Sequence, residues 1–475
     1  MTDRTSEDLL ALVDKAPLNA HYWAVMGVLS LGSALDFFDF YMVGFIVAVL
    51  APQWHLTYGQ SSIMLLSAGL GAIVGALVWG AFSDAWGRKS LIVTGTFLCA
   101  VSASAIGLVP DGAWALFALL RFFVGFGLAG AAAPMTALSV EYTPTRYRTI
   151  ITSLIVVFAT VGTLLAAATS ATLLSLVGWR GVALIGIAPA VISVLGIFIL
   201  PESVRWYVAK GRFRQAQAMT AKLLKVPLAS VPLPTSAPAA PPRAHLADLY
   251  AEPKKFWLVV IFWMGASTAN YGVYLWGPTI TALLLNMQVG QVAHYFVYVS
   301  IAGISGKIIF SFLPQWFGRR RCAQLHGFGI AVTLAVAGYF YSVFVGGFPL
   351  FVLLLMAGAL FFDGGFSNLS PYTVEFYGVR LGARSSGLGQ SANGVGKILG
   401  PLCLAMIAGT SNLVTPQATA DAVFPAFLFL AGWGLAMGLA VTFLGTETHG
   451  KPLSQGDVRA SATHNVIGAG RIASP

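Results

Sequence analysis

The sequence predicts an all-α integral membrane protein of twelve transmembrane helices, arranged as two six-helix bundles related by an internal repeat. Composition is the first reason. The chain has 475 residues, 57% hydrophobic and 9% charged, with a mean hydropathy of +0.79, a balance no soluble domain of this length keeps in solution. The apolar runs are about 20 residues long and lack the alternation of a membrane barrel, which leaves helices as the spanning element. Charge placement is the second reason. Of 27 Lys and Arg residues, all but Arg121, Arg180, Lys307 and Lys397 fall on segments that would share one membrane side, and only Arg180 lies in an opposite-face loop. The net charge of +10 therefore reads as topology and not as nucleic-acid affinity, and it orients both termini to the cytoplasm. The third reason is repetition. GAFSDAWGRK at 80–89 has a companion in FGRRR at 317–321, EYTPTRYR at 141–148 is echoed by EFYGVRLGAR at 375–384, and PESVR at 201–205 by TETHGKPL at 446–453. A repeat of this scale in an apolar chain is the pattern of a two-bundle transporter with its site between the halves.

In chain order, residues 1–21 form a cytoplasmic N-terminal segment that opens polar and acidic, without a signal-peptide core, and whose amphipathic piece Leu9–Val13 suits an interfacial helix or a disordered lead-in. The first bundle, 22–200, carries spans at 22–49, 61–83, 89–109, 114–137, 149–175 and 181–200. A cytoplasmic linker follows at 201–255, with basic surface helices over 203–225 and an extended Pro/Ala tract over 226–242. The second bundle, 256–445, carries spans at 256–284, 292–314, 323–345, 348–371, 386–410 and 423–445, and a cytoplasmic tail occupies 446–475. Cys99, Cys322 and Cys403 lie within or at the ends of apolar runs and imply no disulfide framework.

Ionisable groups inside spans are costly, so they are the first functional candidates. Asp39 of the first span and Arg121 of the fourth lie about 15 Å and about 10 Å from the same membrane side at 1.5 Å per residue. A buried acid–guanidinium pair reached by water from alternating sides can carry a proton. A structural ion pair that locks the first bundle is the competing reading. Asp36 sits one turn back and can share the proton or hold a water. The seventh span offers Asn270, Tyr271, Tyr274 and Trp276, loosened by Gly272, Gly277 and Pro278, and such aromatics in a discontinuous helix suit a small-molecule site. Asp363, Asn368, Asn393 and Lys397 join them from the tenth and eleventh spans. Lys307 and Asp363 lie at similar depth and can neutralise each other, which leaves Lys397 without an obvious partner near mid-membrane. Glycines of the fourth and eleventh spans, including Gly125, Gly127, Gly130, Gly396 and Gly400, permit close helix approach. On the cytoplasmic side, Gly80, Asp84, Gly87 and Arg88 form a gate candidate with Glu141 and Arg148, and Glu375 and Arg380 form its copy.

These motifs resemble the major facilitator superfamily, in the broad group of sugar porters and aromatic-acid/proton symporters. The resemblance covers 22–455. PESVRWYVAKGR at 201–212 is similar to the run after the sixth helix in that group, and ETHGKPL at 447–453 to its closing segment, with Gly445 in place of the usual leading proline. The resemblance implies that Asp84 and Arg88 belong to a gate made in one orientation and broken in the other. It also implies that Asp39 and Arg121 form a proton-coupling pair. Departures redirect the substrate. The glutamines usual in the fifth and seventh helices of sugar porters are absent, and Gln315 and Gly382 replace gate residues in the second half, which implies a weaker or different second gate.

The reading is a proton-coupled symporter of a small organic anion, aromatic or aliphatic, working by alternating access. A sugar or polyol symporter, a proton-driven exporter and a non-transporting nutrient sensor are the alternatives. No catalytic motif, metal-ligand spacing or cofactor loop appears, and the scattered His294 and His326 read as interface or packing residues. The expected partners are protons, a small-molecule substrate and the lipid of a bacterial inner membrane, with no nucleic acid, around a monomer.

Overall fold

The structure is a computed structural model that describes residues 6–234, 247–378 and 381–450. After a short helix α1 (Ser6–Asp14), the first half runs through α2 (Ala20–Gln53), α3 (Tyr58–Trp86), α4 (Arg88–Ala105), α5 (Trp114–Tyr142), α6 (Arg148–Leu184) and α7 (Pro189–Ile199). The linker holds α8 (Val204–Ala209), α9 (Phe213–Leu224) and α10 (Ala247–Tyr250). The second half runs through α11 (Pro253–Leu285), α12 (Val289–Phe312), α13 (Pro314–Phe317), α14 (Arg319–Tyr339), α15 (Leu350–Phe362), α16 (Phe366–Tyr377), α17 (Gly382–Ala408) and α18 (Pro416–Leu444).

Among the described residues, eleven apolar helical stretches are long enough to cross a bilayer, and one of them, Val157–Ile199, is 43 residues long. As a single rod it would reach about 65 Å, twice a hydrocarbon core. Gly178, at φ 65° and ψ 177°, breaks it into two crossings. Trp179 packs on Trp54 at one face, and Glu202 reaches the start of α4 at the other, so the chain returns across the membrane and the spans number twelve.

The side chains are sorted for lipid and not for water. Phe198 and Phe443 are 77% and 78% exposed on the outer surfaces of their helices, where acyl chains take the place of solvent. Between helices, small residues let backbones touch: a Cβ on Gly125 would lie 1.8 Å from the Ala68 carbonyl oxygen.

Three expectations need correction. The seventh span, α11, is one continuous helix through Pro278. Its glycines serve packing: a Cβ on Gly277 would meet the Phe296 ring at 2.5 Å, and one on Gly272 would meet Leu430 at 2.9 Å. The discontinuous helix is the tenth span, interrupted between α15 and α16 at Asp363, Gly364 and Gly365. The ninth span stops at Tyr339, and a small hairpin of β1 (Phe344–Val345) and β2 (Phe348–Pro349) follows. Gly346 and Gly347 turn it, both at positive φ. In the linker, 228–230 form a helical turn and Val231 is buried, so this part of the Pro/Ala tract is docked; 235–242 lies outside the described residues.

The predicted basic helices are α8 and α9. The N-terminal α1 packs on them and not on an open interface, because Leu9 and Val13 share a buried cluster with Ala216 and Leu223 of α9, and Asp14 pairs with Arg205 at 3.1 Å.

The two halves meet along α2 with α11, α3 with α17, and α6 with α12. On the face opposite the termini the halves are joined by backbone. Thr57 and Leu413 form an antiparallel bridge, Tyr58 N–H donates to Asn412 O at 2.9 Å, Gly59 N–H to Thr410 O at 2.9 Å, and Val414 N–H to Leu56 O at 3.0 Å. On the face that carries the termini, the ion pairs found among the described residues, Arg88–Glu141, Arg205–Asp14, Lys255–Glu252 and Arg319–Glu375, each stay within one half.

Candidate functional site

The site is built in three tiers. The first lies inside the N-terminal bundle. Arg121 is 1% exposed and Asp39 6%, and their closest charged atoms, Nη1 and Oδ2, are 3.7 Å apart. The guanidinium makes its hydrogen bonds instead to the carbonyls of Asp39 and Phe40, each at 3.2 Å. Arg121 therefore grips the backbone of α2 whatever the charge on Asp39. The Cys99 thiol lies 3.8 Å from Asp39 Oδ2. Asp36 is buried one turn away, and its Oδ1 has no hydrogen-bond partner among the described residues. A cavity of about 10 Å³ adjoins Asp39 and Arg121, at the lower limit for one water molecule.

The second tier lies between the bundles. Tyr41, two residues beyond Asp39, donates its hydroxyl to Asn270 Oδ1 at 2.7 Å. Its ring stacks on Tyr271 at 5.9 Å and tilts against Tyr274 at 5.1 Å. The Lys397 ammonium sits over two rings, 5.2 Å from the centre of Phe40 and 5.3 Å from Tyr271. Among the described residues no carboxylate lies within 4.0 Å of it, since every such ion pair involves other residues. Asn393, one helical turn before Lys397, accepts from the Ser267 hydroxyl at 2.6 Å. Next to this group, Asp363 at the break in the tenth span pairs with Lys307 at 3.0 Å and accepts from the Tyr274 hydroxyl at 3.3 Å.

The third tier is on the terminal face and appears twice. Glu202 accepts from the backbone N–H groups of Arg88 at 2.7 Å and Lys89 at 3.4 Å; Glu447 accepts from Arg319 at 2.8 Å and Arg320 at 3.2 Å. In each half a carboxylate from the end of the bundle caps the helix that starts after a glycine, where free N–H groups and the helix dipole favour negative charge. Gly87 and Gly318 have φ of 84° and 80°. A Cβ there would lie 2.2 Å from Glu202 Oε2 and 2.4 Å from Glu447 Oε2, so both the backbone angle and the space demand glycine. Each network extends to a second acid: Arg88 pairs with Glu141 at 3.5 Å and Arg319 with Glu375 at 3.1 Å. Partial burial works to raise the Glu447 carboxyl, but N–H groups of His449, Arg319, Arg320 and Thr448 together hold it below its ordinary value.

The sequence profile described as Major Facilitator Superfamily matches residues 29–401. The chain belongs to this superfamily. Among curated relatives, the niacin transporter NiaP of Acinetobacter baylyi is 26% identical over 456 residues, 94% of this chain and 99% of the relative. The 4-hydroxybenzoate transporter PcaK of the same organism is 34% identical over 219 residues, 44% of this chain and 46% of the relative. Among solved structures, a D-xylose-proton symporter superposes with a TM-score of 0.69 at 18% identity, covering 91% of this chain and all of that one. The partially occluded inward-open xylose transporter XylE of E. coli gives 0.67 at 15% identity and 92% coverage of this chain. At these identities the structural likeness speaks for the fold. The chain is thus a transporter of the superfamily, and not an enzyme.

Within the superfamily fold, the residues singled out from sequence separate. Asp36, Asp39 and Arg121 are together, as are Asn270, Tyr271, Tyr274, Asn393 and Lys397. Three proposed substrate contacts are committed elsewhere. Asn368 lies on the terminal face, accepting from Arg319 and donating to its carbonyl at 3.0 Å. Trp276 is buried and donates to Pro401 O at 2.7 Å. Asp363 is neutralised by Lys307. Gly80 is exposed and, among the described residues, has no neighbour where a Cβ would stand. The side chains of Asp84 and Arg148, and all of Arg380, lie outside the described residues. Among the described residues Glu375 pairs with Arg319 at 3.1 Å and accepts from the Thr448 hydroxyl at 2.7 Å. His326 is buried among Phe262, Phe310 and Phe366, a packing position. Sequence reasoning missed Tyr41, Glu202, Glu447 and Arg319 as site residues. The PESVR and TETHG echo was the available signal for the two glutamates.

Proposed function

We propose that this carrier is a proton-coupled symporter of a small organic carboxylate, with an aromatic acid as its preferred class. The observation that carries the reading is Lys397, a cation at the junction of the bundles, held among the described residues by the faces of Phe40 and Tyr271. A planar acid can offer its carboxylate to the ammonium and its ring to Tyr41, Tyr271 or Phe40. The relatives named for niacin and 4-hydroxybenzoate support this class, since both compounds join a ring to a carboxyl group.

Coupling follows from Phe40. Its carbonyl accepts from Arg121, and its ring faces both the Arg121 guanidinium at 5.8 Å and Lys397 at 5.2 Å. A proton on Asp39 removes the charge opposing Arg121, the backbone of α2 shifts with the guanidinium that grips it, and the Phe40 ring resets the cation beside the substrate. The two bundles then rock about the site. The strong Lys and Arg bias supports a cytoplasmic position for both termini, in a bacterial plasma membrane, and a monomer suffices for the cycle. The deciding experiment is uptake by purified protein in liposomes under an imposed pH gradient. Accumulation of benzoate-like or aliphatic acids is expected; accumulation of neutral sugars with none of the acids would reject the reading. Counterflow under reversed gradients separates import from proton-driven export.

A further inference from the structure

The ion pair of Lys307 and Asp363 is unused by this mechanism, and it is as deeply buried as the pair of the first bundle, at 4% and 5% exposure. Two features set it apart. Among the described residues, it stands at the break in mid-span between α15 and α16. It is also held directly from the other bundle at its ammonium, and linked to that bundle at its carboxylate only through α11. The Lys307 ammonium donates to the Thr160 hydroxyl of α6, across the α6–α12 boundary. Asp363 accepts from Tyr274, whose helix neighbour Asn270 receives the Tyr41 hydroxyl of α2 and donates to Phe362 O at 3.4 Å. The break is packed tightly: a Cβ on Gly364 would lie 2.1 Å from Leu360 O and 2.6 Å from Gly306 C. A charge pair fixed to a rigid break in one bundle, with its ammonium bonded across to the other, is placed to hold the bundles in one relation.

We infer that Lys307 and Asp363 are positioning residues that tie the second bundle to Thr160 of the first in the state sealed on the face opposite the termini. Neither carries the transported proton or touches substrate. The tie is released when the bundles rotate. The tie itself rests on transport by alternating access, and the exclusion of the pair from proton and substrate rests on the proposed function.

Each charge of the pair neutralises the other, so removing one strands a buried ion and removing both does not. Thr160→Val keeps the pair and the side-chain shape while deleting the hydroxyl across the boundary. The readout is labelling of a Ser62→Cys reporter by a membrane-impermeant thiol reagent added to the opposite face of proteoliposomes, without substrate or gradient. Ser62 is buried against Pro401 O of α17 beneath the seal, and the native cysteines are buried. The tie predicts that Thr160→Val raises the labelling rate about 10- to 100-fold, the worth of a hydrogen bond to a charged donor. An unchanged or slower rate overturns it. Lys307→Gln with Asp363→Asn, chosen because either single variant can fail to fold, should also label faster and should retain gradient-driven accumulation. Loss of accumulation with exchange intact would instead make the pair a proton carrier, and the inference would be wrong. The labelling arm needs no transported solute, so its failure is separate from failure of the carboxylate reading.

Discussion

At the scale of single residues, the proposed proton and substrate roles fall on different side chains and can be tested apart. Asp39→Asn should abolish accumulation driven by a pH gradient while leaving substrate exchange partly intact, because Arg121 keeps its bonds to the carbonyls of Asp39 and Phe40. Equal loss of both activities, in the same liposomes, would show that the pair only locks the bundle. Lys397→Gln should raise the apparent Kd for carboxylates about 10- to 100-fold, the worth of a charge-assisted bond, measured by thermal stabilisation of the solubilised protein. Asp39 and Lys397 were legible because an ionisable group inside an apolar run is anomalous wherever the helix turns. Tyr41 was not, since a tyrosine among aromatics carries no such mark until Asn270 is seen opposite.

Among elements, the two glycine-started helices are the most informative, because one physical arrangement occurs twice. Gly318→Ala should lower stability by about 2–3 kcal/mol, combining a left-handed backbone penalty of about 1–2 kcal/mol with a lost cap of about 1 kcal/mol, read as a lower Tm in detergent. Added to Glu447→Ala it should cost less than the sum, as both act on one contact. The Glu447 carboxyl is held below its ordinary value of 4.5. Its contribution is therefore complete above that value and lost as pH falls through the depressed folded pKa. The Tm difference between the parent and Glu447→Gln should persist at neutral pH and vanish in acid; a difference that grows in acid would contradict the assignment. The helix starts were visible in sequence as Gly-Arg repeats, and the caps as a second repeat, but nothing local joins 87 to 202 or 318 to 447. The break in the tenth span was misplaced to the seventh for a related reason: glycine and proline mark both breaks and close contacts, and only the neighbour across the interface tells which.

For the whole molecule, the seal opposite the termini is the boundary that alternating access must break. Thr57 and Leu413 are paired across it at a spacing suited to a disulfide. Thr57→Cys with Leu413→Cys, oxidised, should abolish exchange, and reductant should restore it; undiminished exchange by the crosslinked protein would mean that this seam does not open.

The sequence by itself determined the solvent, the crossing number, the repeat and the buried charges, because hydropathy over about 20 residues and the cost of an ion in hydrocarbon are local properties. The tertiary structure alone decided who meets whom. Arg121 grips a backbone more than a carboxylate, Lys307 pairs with Asp363, and Lys397 is left over two rings. Those outcomes depend on the rotation and depth of helices packed from opposite halves of the chain, which no periodicity within one span contains.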